Sequence, residues 1–283
     1  MDTGQRRWRA VTAPLAVAMT VAATVLLGFG TAGLATAATP NSIHAYTAGP
    51  QAPGVNEQGQ LYLAMRKLMG DHMHWTYATV DAFFNEPKEL NGKLTRLLAN
   101  QTDIGNAIKP YYGDAAGDEL STLLHAHING YVPLLKDVKA GDSAAATKDF
   151  NKILANGVQI GKFLEAANPK NWPAPAVENM FTVHNKQTET YALDIFKGNY
   201  KQSITDFETA LNHMLSMADT LSAGIIAQFP NKFGAPMTTK QRDLYLAMRK
   251  LMGDHMHWTY ATVDAFFNEP KELNGKLTRL LAN

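Results

Sequence analysis

From about Gln58 to Gln228 the apolar residues recur at steps of three and four, the spacing that lines one face of an α-helix. One stripe is Leu61, Met65, Leu68, His72, Trp75 and Thr79. A second is Leu120, Leu124, His127, Tyr131, Leu134 and Val138, and a third is Val177, Phe181, His184, Thr188, Tyr191 and Ile195. The fourth is Phe207, Leu211, Met214, Ala218, Leu221 and Ile225. Alternating β-branched runs are absent, so strands are not expected.

Prolines, glycines and capping residues set the boundaries. A first helix is predicted from Gln58 to Asn85, and Pro87 opens a shorter one to Asn100. Thr102-Asp103 caps one more turn before a loop at Lys109-Pro110-Tyr111-Tyr112-Gly113. Further helices are expected over Asp118–Lys139, Ser143–Ala167 with Ser143 as cap, Pro175–Lys197 and Lys201–Gln228. Pro133 is expected to kink its helix near Asn129-Gly130. Short connections between long helices make neighbours antiparallel. The predicted fold is all-α, an up-down antiparallel helical bundle of four long core helices plus shorter ones.

The chain then repeats itself. Leu244–Asn283 reproduces Leu61–Asn100 over 40 residues without a change, while the flanking residues differ at once. About 40 residues rarely fold alone, so the copy reads as a two-helix fragment. The expected organisation is a signal peptide at 1–37, a flexible linker at 38–57, the bundle at 58–230, a linker at 231–243 and the partial repeat at 244–283. In the copy, His255 is expected to take the role of His72. The surface complementary to its apolar seam is expected only on residues 118–228, where the first helix already sits. The copy should therefore displace the original, swap into a second chain or pack loosely. Self-association through this C-terminal segment is the expectation, with a folded monomer after deletion of 231–283.

Charge removes one class of partner. Three of the 26 basic residues and one of the 25 acidic ones lie in the first ten positions, leaving 23 against 24 elsewhere. That balance gives no electrostatic footprint for nucleic acid. Arg6, Arg7 and Arg9 precede an uncharged stretch from Ala10 to Ala38, and Ala35-Thr36-Ala37 is a small-x-small cleavage site. The expectation is a secreted or extracytoplasmic protein beginning at Ala38, with a retained membrane anchor as the alternative. The 283 residues contain no cysteine, which excludes thiol catalysis and cysteine-held clusters. Gly28, Gly30 and Gly33 match a dinucleotide fingerprint by letter but lie inside the leader, with no strand before them.

The candidate chemistry is imidazole. His72, His127 and His184 each occupy an apolar stripe near the middle of a helix. Helical midpoints tend to share a layer in an up-down bundle, and bundle cores are places where facing helices build metal and ligand sites. Met214 and His213 lie at the midpoint of the last long helix and complete the candidate set. Imidazole suits zinc, copper or iron, and a thioether favours copper. His74 and His125 stand two residues from His72 and His127, so they point roughly 200° away. They are expected to be solvated or at helix interfaces.

Several segments carry a resemblance. They are Asp71-His72-Met73-His74-Trp75-Thr76, the stretch from Asn100 to Gly113, His127, His184 with Thr188, and Met217 to Pro230. Over 58–230 the chain resembles a bacterial family of helical-bundle proteins with His-x-x-Trp-Thr and His-x-x-x-Thr helices. Relatives often have Trp at the place of Met69 and Arg at the place of Tyr77, so any role of those two does not carry over. The resemblance implies that His72, His127 and His184 belong to the family pattern. Some relatives bear labels such as acetylglutamate kinase or glycosyltransferase, and the chain has no P-loop or sugar-nucleotide motif to match them.

Three readings follow. The leading one is a secreted binding module that holds a metal ion or small ligand through the core histidines. The second is an enzyme of unknown reaction using the same histidines as acid–base groups or ligands. The third is a structural or interaction protein with satisfied core histidines.

Overall fold

The computed structural model describes residues 55–283, and among them the chain is all-α without a strand. The expected signal peptide, and all but the last three residues of the 38–57 linker, lie outside the described residues. Eight α-helices follow one another: α1 Glu57–Phe84, α2 Leu90–Tyr112, α3 Asp114–Ala140, α4 Ser143–Ala167, α5 Ala174–Phe196, α6 Tyr200–Gln228, α7 Thr239–Phe267 and α8 Pro270–Leu281. No described helix is long and apolar enough to cross a membrane.

Each of α1 to α6 packs on the next, and α6 closes back onto α1, which also touches α5. The bundle has six long helices. Of these, α2 is longer than expected, because it runs through the expected loop and ends only at Tyr112. Ile104, Ala107 and Ile108 are buried at helical spacing there, so packing outweighs the local signals of Thr102 and Pro110. Gly113 ends the helix with φ 86°, a conformation that side chains other than glycine's resist. A Cβ at Gly105 would overlap Ser121 and the carbonyl of Gly117, so glycine lets α2 and α3 approach closely. The α3 helix continues through Pro133. At the start of α4 the cap is Asp142, whose carboxylate accepts from the Ala145 amide, and Ser143 is already helical.

The repeat becomes α7 and α8, and it corrects two expectations. The original α1–α2 keeps its place in the bundle, and the copy docks on the outside, α7 against α1 and α8 against α6. The surface that accepts the copy therefore includes α1, outside residues 118–228, as well as α6. His255 does not take the role of His72, because it is exposed while His257 and Trp258 are buried. The expected linker at 231–243 is largely ordered: Pro230–Lys232 form a 3-10 turn and Thr238 caps α7.

Candidate functional site

The three seam histidines converge. His72 on α1, His127 on α3 and His184 on α5 are all buried. The ring centroids of His72 and His184 are 5.6 Å apart, and those of His127 and His184 are 5.9 Å apart. Three helices thus place three imidazoles in one layer, as their mid-helix positions imply.

The surrounding polar groups fix the rings. Asn156 on α4 donates to the Leu123 carbonyl at 3.2 Å, which turns its Oδ1 to accept from His127 Nδ1 at 3.0 Å. That bond puts the proton of His127 on Nδ1 and leaves Nε2 with its lone pair. An imidazole that donates its second nitrogen to an oxygen acceptor is the usual arrangement of a metal ligand. Gln101 on α2 donates to the Leu97 carbonyl at 2.8 Å and faces His72 Nδ1 at 3.2 Å. His184 Nδ1 is buried with no hydrogen-bond partner. Burial holds the His72 imidazole down at about 3 and that of His127 at about 4. Burial, followed by the charge of His72 and His127, keeps His184 well below its ordinary value. All three are neutral at pH 7, the form that ligates a metal.

Of the other two candidates, His213 lies near enough to His184 to help lower its pKa. His213 Nε2 donates to the Met180 carbonyl at 2.9 Å, so that nitrogen serves the α5 backbone. Met214 is buried in the apolar cluster. Gln101 and Asn156 escaped the sequence reading, although both occupy seam positions. Leu97, Gln101, Ile104 and Ile108 step 4, 3, 4, and Ile153, Asn156 and Ile160 step 3, 4. An amide inside an apolar stripe was the available signal. His125 donates to the Ser121 carbonyl one turn back, at 2.7 Å. His74 lies at a helix interface, stacked on His257 with centroids 4.2 Å apart.

Spacing limits what the cluster does as it stands. Among the described residues, the ligand atoms grouped within 4.8 Å of one another are those of Glu86, Glu89 and Asp264. Lys93 Nζ already sits among them at 2.6, 2.9 and 2.6 Å, so an ammonium fills that place. The core histidines are more widely spaced. Nitrogens sharing one tetrahedral ion would lie roughly 3.3 Å apart, so ring rotation is needed to close on one. A groove of ≈ 270 Å³ between α1, α2 and α3 is lined by Thr76, Thr79 and Tyr131, neighbours of the cluster, but not by the histidines. No family model, curated protein or solved structure matches the chain, so its chemistry is read from the site itself.

Proposed function

We propose that this chain is an extracytoplasmic binding protein whose bundle core takes a transition-metal ion, zinc, copper or iron, through His72, His127 and His184. The observation that carries the reading is the convergence of three buried neutral imidazoles, one with an unpartnered nitrogen. A buried polar nitrogen without a partner costs roughly 1–3 kcal/mol, and an ion would satisfy it. Among the described residues no carboxylate contacts the three rings, which favours the borderline and softer ions over magnesium or calcium.

The reading is tested on the full chain stripped of metal. Zinc, copper(II) and iron(II) are added separately, and retained metal is measured after gel filtration together with the thermal midpoint. One equivalent per chain and a raised midpoint are expected, both lost in His127→Ala and in His184→Ala. An ion at one hundred times its Kd would add about 2.7 kcal/mol to stability. If native protein keeps no metal and its midpoint does not move, the cluster is a structural polar core. Gln101 favours that second reading, because its side-chain amide already occupies Nδ1 of His72.

A further inference from the structure

The two identical segments meet through matching contacts. Lys93 Nζ reaches Asp264 at 2.6 Å, and its counterpart Lys276 reaches Asp81, the counterpart of Asp264, at 2.8 Å. Asn85 donates to Glu272 at 3.0 Å, and Asn268 donates to Glu89 at 2.8 Å. Trp75 meets Tyr260 at 5.9 Å, and Tyr77 meets Trp258 at 6.1 Å between ring centroids. His74 meets its own counterpart, His257, in a parallel stack. Each of these contacts is thus paired with its mirror in sequence, and the His74–His257 stack is its own mirror. This is the pattern of an isologous interface, in which one patch is complementary to itself about a two-fold axis.

A patch that binds its own sequence within the chain also binds it on another chain. We infer that the face of α1–α2 covered here by α7–α8 is a self-recognition surface, on which the same face of a second copy of this chain docks about a two-fold axis through His74 once the tail moves off. The tail occupies the partner's place and caps the surface. Its tether, residues 229–238, is short. A tethered segment competes at an effective concentration of order mM, so the intramolecular copy prevails at ordinary protein concentrations.

One asymmetry supports the second copy as occupant. Glu208 on α6 accepts from Trp258 Nε1 and from Arg279 Nε, each at 2.9 Å. The corresponding Trp75 and Arg96 are partly exposed, and Arg96 pairs loosely with Asp71 at 3.8 Å and Asp103 at 3.6 Å. In a two-fold pair, Glu208 of the second copy falls opposite Trp75 and Arg96. The surface then gains on both sides the contact that it now has on one.

The test uses the full chain with Lys276→Glu and Arg279→Glu, which turn the tail's charges against Asp81 and Glu208 and leave the α1–α2 face native. Two quantities are read: protease cleavage within 231–238, which reports tail release, and solution mass over a concentration series. Faster cleavage and a two-fold rise in mass that saturates at the dimer are expected. The milder pair Lys276→Gln and Arg279→Gln gives the same shift at higher concentration and covers the case in which the charge reversals disturb folding. Adding His74→Glu should restore the monomer, since two carboxylates would face each other on the axis. The inference fails if cleavage does not quicken, or if the released chain stays monomeric. It also fails if the dimer survives His74→Glu, because association would then run through the tail's own apolar face.

Discussion

Residues 61–100 and 244–283 have one sequence and two environments. Met73 is fully buried and its counterpart Met256 is 65% exposed; Tyr77 is 1% exposed and Tyr260 is 42%. The order reverses for the tryptophans, with Trp258 fully buried and Trp75 only partly so. The first copy sits between the bundle and the tail, so both its faces are covered. The second is covered on one face, and its other face shows Leu244, Met248, Leu251, Met252 and Met256 to solvent. A stripe of apolar residues therefore says that a face can be buried, not that it is. Which face is used depends on what remains unoccupied when the segment folds.

The difference should be largest in acid. His72 is buried in the bundle, whereas His255 is exposed. In the unfolded chain an imidazole binds its proton near pH 6.5, but burial holds His127 at about 4 and His72 at about 3. Between those values the unfolded state binds more protons than the native one. The histidines' contribution is complete above pH 6.5 and is lost as pH falls towards 4. For His127 alone the gap corresponds to ~3 kcal/mol, with His72 adding to it. Urea midpoints at pH 7 and pH 4.5 should differ strongly in the native chain and less in His127→Asn. An equal slope in both proteins would show that the cluster does not control acid unfolding.

Paired substitutions break the comparison residue by residue. Tyr77→Ala removes a buried ring that packs on Phe207 and Tyr191. It should cost roughly 3–5 kcal/mol, the usual range for a buried aromatic. Tyr260→Ala, on the half-exposed copy, should cost less than about 1 kcal/mol. Equal losses by urea unfolding would mean that the two copies are equivalent in solution.

Much of this arrangement was legible, and the rest was hidden for physical reasons. The helices follow from periodicity, their antiparallel order from the short connections, and the shared layer of His72, His127 and His184 from mid-helix position. The end of α2 was misread because Thr102-Asp103 and Pro110 are local signals, whereas the burial of Ile104 and Ile108 is a tertiary one. The docking of the tail was misread because only one face of α1 was assigned to burial. Trp75, placed in the first stripe by its spacing, lies instead on a second face with Asp71, His74, Asp81 and Asn85, where it meets Tyr260, and polar residues at such spacing look solvated until the identical segment lies opposite. Gln101 and Asn156 are cases of the same kind, amides whose partners are set by other helices.

A smaller pH effect of opposite sign should appear at the tail. Lys276 serves both Asp81 and Glu272, and burial, with the charge of Asp81, raises the Glu272 carboxyl to about 8. The docked tail then holds a proton that the released tail gives up near the ordinary carboxylate value. Docking is favoured at low pH and weakens as pH rises towards 8. Cleavage within 231–238 should quicken between pH 6 and pH 9 in the native chain. In Glu272→Gln the rise should be smaller, the remainder coming from Glu86, whose carboxyl is raised by burial to about 7 beside Asp264 of the tail.

The smallest expected effect concerns the two helix starts, the point at which the copies stop being identical. Asn56 caps α1 by accepting from the Gly59 amide at 3.0 Å. Thr238 caps α7 through a capping box, in which its hydroxyl accepts from the Gln241 amide at 3.3 Å and Gln241 Oε1 accepts from the Thr238 amide at 3.2 Å. Removing either cap by alanine should cost about 1 kcal/mol, but the loss should appear in different places. The α1 helix is built into the bundle, so Asn56→Ala should lower the midpoint of global unfolding. The α7 helix is held on one face, so Thr238→Ala should act on local opening. Hydrogen exchange should then quicken at residues 239–250 by about fivefold, from 1 kcal/mol at RT ≈ 0.59 kcal/mol, while amides of α3 to α6 are unchanged. If exchange quickens throughout the chain instead, the tail and the bundle unfold as one unit, and the capping surface could not be uncovered without losing the fold that carries it.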